Sequence, residues 1–141
     1  MILHGVNVIV KGYPWIPNLN EWNVDTSLSA KDFATLRDLG VNVIRLGAMW
    51  PGVEPTRGLY DRLYLQQLRK VVSMAAEYGI YTLLDMHQDV LSEKFCGEGV
   101  PSWAAVPYKP LSAQQGFPVP VETLPFTNAS VIDGFPTRQD W

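Results

Sequence analysis

The chain is short of cysteine, histidine, long apolar runs and basic clusters, and each shortage removes a class of protein. One cysteine, Cys96, among 141 residues cannot build an internal disulfide framework and cannot by itself form a metal site. The histidines are His4 and His87, so a metal would need carboxylate partners, and no recognised ligand spacing supplies them. We therefore expect no metal and no other cofactor. No apolar segment approaches the roughly 20 residues that span a bilayer. Lys and Arg number 11 against 14 Asp and Glu, a formal net charge of -3, which leaves no electrostatic footprint for nucleic acid and argues against a polybasic membrane anchor. The opening MILHGVNVIVKG lacks the basic region and cleavage site of a signal peptide, so the sequence names no compartment. Phosphate loops of the GxxxxGK[ST] or GxGxxG type are absent too.

Hydrophobic residues make up 47% of the chain, enough at this length for one core, and they fall in a repeating order. Gly5-Val6-Asn7-Val8-Ile9 recurs letter for letter as Gly40-Val41-Asn42-Val43-Ile44, and a third apolar run spans Gly79 to Leu84. Two helical patterns separate these strand candidates. The first starts at Ser29, with Asp32 as a capping-box variant, carries Phe33, Leu36 and Leu39, and stops at Gly40. The second runs from an Asp61 cap through Leu65, Leu68, Val71, Val72 and Ala75 to Gly79. Strand, helix, strand, helix, strand at this spacing predicts parallel strands joined by right-handed crossovers.

From about residue 100 helical periodicity disappears, and seven of the 11 prolines fall at or after Pro101. Residues 1–99 therefore read as a βαβαβ portion, and 100–141 as a Pro-rich irregular segment of the same domain. Three parallel strands leave open edges, whereas a closed (β/α)₈ barrel takes about 250 residues, so the chain reads as the opening portion of a larger α/β fold.

The stretch LLDMHQDVLSEKFCGEGVPSWA, Leu83 to Ala104, breaks from an apolar run into polar and charged side chains. Without alternation, Tyr81 to Leu84 predicts a strand covered on both faces, and the C-terminal end of a parallel strand is where α/β folds place ligands. Asp85, His87 and Asp89 share one face if that strand persists. His87 suits a general base, a metal ligand or a donor to a substrate hydroxyl, metal being the weakest of the three. With Asp89 it offers donors and acceptors to adjacent hydroxyls of a polyhydroxylated ligand, although a solvated loop explains Asp89 equally well.

Arg45, at the end of the second strand, needs an anion. Either it orients a catalytic carboxylate, or it makes a structural ion pair with Asp85 or Glu54. Trp15, Trp22, Trp50 and Trp103 could present aromatic faces to a sugar ring, and core packing explains each of them as well. Gly97-Glu98-Gly99 reads as a turn around an acid, and Cys96 as a buried small hydrophobe. Asn128-Ala129-Ser130 fits a glycosylation sequon, which matters only in a secreted protein.

HGVNVIVKGYPWIP, LGVNVIRLGAMWPGVEPTRGLYD and LLDMHQDVLSEKFCGEGVPSWA resemble the first three strand-end motifs of endoglycoceramidases and endoglycoceramidase-related glucosylceramidases, within glycoside hydrolase family 5. FPVPVETLPF and GFPTRQDW are similar to the proline-rich loop that follows strand three in that family. The resemblance implies the N-terminal part of a (β/α)₈ TIM barrel. It implies glycosphingolipids or related glycolipids, met at a membrane surface, as substrates, and hydrolysis of the glycosidic bond next to the lipid with retention.

By the same resemblance Lys11, His87 and Asp89 contact the sugar, and Arg45 neighbours the nucleophile. Retention takes two carboxylates roughly 5 to 5.5 Å apart. The family's pair are glutamates, one in an Asn-Glu-Pro motif at strand four and one at strand seven, and both are expected beyond Trp141. Asn20-Glu21 continues into Trp22 instead of proline and is not that acid/base, while Glu54, Glu93 and Glu98 lie in loops where the family places neither glutamate. The isolated chain is therefore expected to be inactive. A truncated paralogue that binds glycan or lipid without catalysis, and a steryl-glucosidase-type enzyme, are the competing readings.

Overall fold

The computed structural model describes residues 2–95, 97–105, 131–132 and 135–136. Asn128 and Cys96 lie outside the described residues. Strands β1 (Gly5–Val8), β2 (Val43–Gly47) and β3 (Tyr81–Asp85) form a parallel sheet in that order, with Gly5 opposite Val43 and Val43 opposite Tyr81. Helix α1 (Ala30–Asp38) makes the first crossover, and a one-turn α2 (Trp50–Val53) followed by the long α3 (Arg62–Glu77) makes the second. The βαβαβ order is as expected. The short helix α2 is an addition, begun where Pro51 in its first turn presets the backbone. In the segment read as irregular, β4 (Val131–Ile132) pairs antiparallel with β5 (Phe135–Pro136).

The helix ends follow the sequence signals. The Asp32 carboxylate turns back to accept the Ser29 N–H and the Ser29 hydroxyl, each at 2.7 Å, and these bonds hold its pKa below the ordinary carboxylate value. Asp61 caps α3 by accepting the Leu63 and Tyr64 N–H groups at 2.8 and 3.0 Å. Gly40 and Gly79 stop α1 and α3 with left-handed backbone, φ +79° and +70°.

The repeated pentapeptide plays two different parts. Gly5 opens β1, but Gly40 is spent on ending α1, and its copy enters the sheet only at Val43. Asn42 instead uses its side chain as a clasp, accepting the His4 N–H and donating to the Ile2 carbonyl at 2.8 Å each.

The core forms where β2 meets the helices. Ile44 and Leu46 join Phe33 of α1 and Leu68, Val71 and Ala75 of α3 in one buried cluster. The buried stripe of α3 is displaced from the expected one. Tyr64 turns inward with Leu68, Val71 and Ala75, while Leu65 and Val72 remain 41% and 38% exposed on its flank. Tyr64 sets that rotation because its hydroxyl accepts the Met49 N–H at 2.9 Å and donates to the Trp15 carbonyl at 3.2 Å, joining the loops after β2 and β1. Burial pushes its phenol pKa up. Gly52 lies against the ring, where a Cβ would overlap it.

β3 departs from the expectation of cover on both faces. Tyr81, Leu83 and Leu84 are 59%, 58% and 54% exposed, since among the described residues β3 pairs only with β2 and stands at an edge of the sheet.

Tyr64→Phe keeps the ring and deletes both hydroxyl bonds. It should lower stability by about 1–3 kcal/mol, read as a lower thermal midpoint, and an unchanged midpoint would show the hydroxyl to be idle. The bare faces of β3 predict that the isolated chain binds a hydrophobic dye and self-associates in sedimentation velocity, which a clean monomer without dye binding would contradict.

Candidate functional site

The C-terminal ends of the strands carry a row of alternating charges. β3 stops at Asp85, so strand alternation does not reach His87 and Asp89, and the following loop brings them into line instead. His87 sits between two carboxylates, with Nδ1 3.1 Å from Asp85 Oδ2 and Nε2 3.2 Å from Asp89 Oδ2. Lys11, just beyond β1, donates from Nζ to Asp89 Oδ2 at 2.6 Å. At the other end Arg45 Nη2 lies 2.8 Å from Asp85 Oδ2. Lys11, His87, Asp89 and Arg45 thus meet in one network, and the partner of Arg45 is Asp85, not Glu54.

Glu98, expected only as the acid of a turn, completes the row. Its Oε1 lies 2.9 Å from Lys11 Nζ and 3.9 Å from His87 Nε2. The available signal was the pair of glycines around one acid, which marks close backbone approach as well as a turn. The Glu98 N–H donates to the Asp89 carbonyl at 2.9 Å, closing the loop between the two acids.

Burial divides the network. The His87 and Glu98 side chains are 10% and 4% exposed, and those of Lys11 and Asp89 are 43% and 48% exposed. An inner base therefore supports an outer cation and anion offered to solvent. A neutral imidazole donates from one ring nitrogen, whereas a doubly protonated ring donates to both Asp85 and Asp89. The bond from Lys11 holds the Asp89 carboxyl below its ordinary value, and Asp89 and Glu98 together raise the Lys11 ammonium above its own.

His87, Asp89 and Glu98 each bring one ligand atom within 4.8 Å of the others, close enough to share an ion. The Lys11 ammonium, 2.6 and 2.9 Å from two of them, already supplies positive charge there, and an ion would have to displace it.

The tryptophans divide by burial. Trp15 is 6% exposed and belongs to the core. Trp50 and Trp103 meet edge-on with ring centroids 5.7 Å apart, held by Glu54, which accepts Trp50 Nε1 on its carboxylate at 2.8 Å and Trp103 Nε1 on its carbonyl at 3.0 Å. The Gly58 N–H and then Trp50 hold the Glu54 carboxyl below its ordinary value. Trp22 is 80% exposed. Asn20 and Glu21 donate their N–H groups to Asn18 Oδ1 at 2.9 and 3.1 Å, a side-chain turn in the loop after β1.

A profile of Cellulase (glycosyl hydrolase family 5) matches residues 3–116. The chain belongs to glycosyl hydrolase family 5. It is 50% identical over 129 residues to an endoglycoceramidase of Cyanea nozakii and 44% identical over 137 residues to one of Hydra vulgaris, covering 83% and 97% of this chain and 25% of each relative. Endo-glycoceramidase II from Rhodococcus sp., in complex with a five-membered iminocyclitol, matches with a TM-score of 0.61 at 34% identity, over 77% of this chain and 25% of that one. The chain spans about a quarter of the length of the relatives it matches. Its three parallel strands are the N-terminal part of a family 5 (β/α)₈ barrel. Among the described residues, no helix is long and apolar enough to cross a membrane.

The shifted groups set a pH window. Asp89 is lowered, so its contribution to stability is full above its ordinary 3.8 and is lost as pH falls through the depressed value; Lys11 is raised, so its contribution is full below 10.5 and is lost as pH rises through the raised value. The stability difference between wild type and Lys11→Met should therefore hold from about pH 5 to 9 in thermal denaturation, and its disappearance inside that window would contradict the pairing.

Proposed function

We propose that this chain is the substrate-reading part of a retaining glycosidase that cleaves the bond between a sugar and ceramide or a related lipid. One observation carries the reading: an exposed ammonium and carboxylate, Lys11 and Asp89, are held 2.6 Å apart at the ends of two strands and backed by the buried His87 and Glu98. Such a pair donates to one hydroxyl and accepts from its neighbour, which suits a pyranose ring. The Lys11 ammonium donates to Asp89 and faces Glu98 as an ion pair, so it keeps donor capacity for a ligand. His87, with both ring nitrogens turned to carboxylates, acts by holding Asp89, and the 10% of its side chain left exposed would meet the sugar.

Arg45 is anchored to Asp85 through Nη2 and keeps further N–H donors, with which it would hold the nucleophilic carboxylate ionised. In the complete barrel the acid/base glutamate of strand four protonates the oxygen leaving with the lipid while the glutamate of strand seven attacks the anomeric carbon. Water, deprotonated by the first glutamate, then releases the sugar from the glycosyl-enzyme. Residues 1–141 would form part of this catalytic domain, with 100–141 as a loop region beyond strand three. The names of the Cyanea and Hydra relatives support the lipid-linked substrate class.

The test is turnover of a fluorescent glycosylceramide by the protein expressed with its complete barrel. Lys11→Met and Asp89→Asn should each lower kcat/KM by about 10- to 100-fold, the scale of a lost charged hydrogen bond, and the isolated 141 residues should show no turnover. An intact glycosylceramide beside efficient cleavage of a steryl glucoside would overturn the substrate class, and full activity in Lys11→Met would overturn the assignment of the site.

A further inference from the structure

We infer that Glu98 is a positioning residue that fixes the Lys11 ammonium from the buried side, so that its free N–H points at the ligand. A lysine on a loop carries a flexible four-carbon stem, and one exposed partner restrains it weakly. Lys11 has two. Asp89 holds it at 2.6 Å from the solvent side and Glu98 at 2.9 Å from the interior, with side-chain exposures of 48% and 4%. A carboxylate that deeply buried is costly unless paired, and the ammonium pairs it. The two constraints serve each other.

The loop is shaped to deliver Glu98 to this position. Val90 and Leu91 take left-handed backbone, φ +47° and +66°, which side-chain-bearing residues rarely adopt and a β-branched residue more rarely still. Gly97 and Gly99 then run against the strained segment. A Cβ on Gly99 would lie 2.7 Å from the Leu91 carbonyl oxygen, and one on Gly97 would overlap the carbonyls of Asp89 and Val90. Three backbone bonds lock the crossing, from Gly97 to Ser92 at 2.8 Å, Glu98 to Asp89 at 2.9 Å and Val100 to Leu91 at 2.6 Å. A turn that only reversed the chain would need neither the strain nor the crossing. Here both bring the two acids that share one ammonium into register.

The role toward sugar rests on the proposed glycosidase activity, whereas the hold on Lys11 does not, and the test separates them. In the protein with its complete barrel, Lys11 should acylate more slowly than the exposed Lys31 and Lys70 under a lysine-reactive ester, read by peptide mass spectrometry. Glu98→Gln should speed labelling of Lys11 several-fold and leave Lys31 and Lys70 unchanged, because a less stabilised ammonium yields more free amine. If Glu98→Gln does not fold, Glu98→Asp, which keeps the charge and shortens the arm, should give the same acceleration. Glu98→Gln should also lower kcat/KM on glycosylceramide about tenfold, and that loss should vanish in a Lys11→Met background. Faster labelling in an enzyme that ignores glycolipid would remove the functional reading and keep the hold on Lys11. Unchanged labelling, unchanged kcat/KM in an active enzyme, or an equal loss in the Lys11→Met background would each overturn the inference.

Discussion

The Lys11 ammonium between Asp89 and Glu98 is the constraint to which the rest of the site answers. It joins the end of β1 to the loop after β3 across the intervening β2, and it neutralises a carboxylate that is 4% exposed. Without that cation, Glu98 would lose an ion pair at 2.9 Å, Asp89 would lose its strongest partner, and His87 would stand between carboxylates with less to balance them. The strained backbone at Val90 and Leu91 and the glycine crossing at Gly97 and Gly99 are local consequences of bringing both acids to one point.

A second, uncharged device holds the frame around that point. The Tyr64 hydroxyl bridges the loops after β1 and β2 through Trp15 and Met49, and Gly52 lets α2 approach its ring. The ion pair and the phenol bridge thus link the three strand ends in two steps, one through charge and one through neutral hydrogen bonds. The division is physically sensible. The neutral link is buried in the core, where an unpaired charge would be expensive, and the charged link lies half open to solvent.

Much of the fold was legible because it depends on local signals. The caps at Ser29 with Asp32 and at Asp61, the glycine stops at Gly40 and Gly79, and the order of strands and helices act within a few residues of sequence. Four candidate residues were legible as well, since Lys11, Arg45, His87 and Asp89 stand near strand ends within motifs that resemble the family's, and the structure joins them in one network. What escaped depends on contacts distant in sequence. The inward turn of Tyr64 follows from Trp15 and Met49, and the different fates of the two GVNVI copies follow from whether a helix precedes the glycine. The exposure of β3 follows from its having one neighbour in the sheet among the described residues. Glu98 escaped because its significance comes from Lys11, far away along the chain, and a single acid between glycines resembles an ordinary turn until that partner is in place.

The role proposed for this charge row is to read a sugar. The most direct measurement is a crystal structure of the protein with its complete barrel and a bound glycan. Lys11 Nζ and an Asp89 carboxylate oxygen should lie within hydrogen-bond distance of two adjacent hydroxyls on one ring, with Glu98 still on Lys11 and Asp85 on Arg45. A sugar seated away from β1 and β3, or a Lys11 that leaves Glu98 to reach it, would contradict the claim.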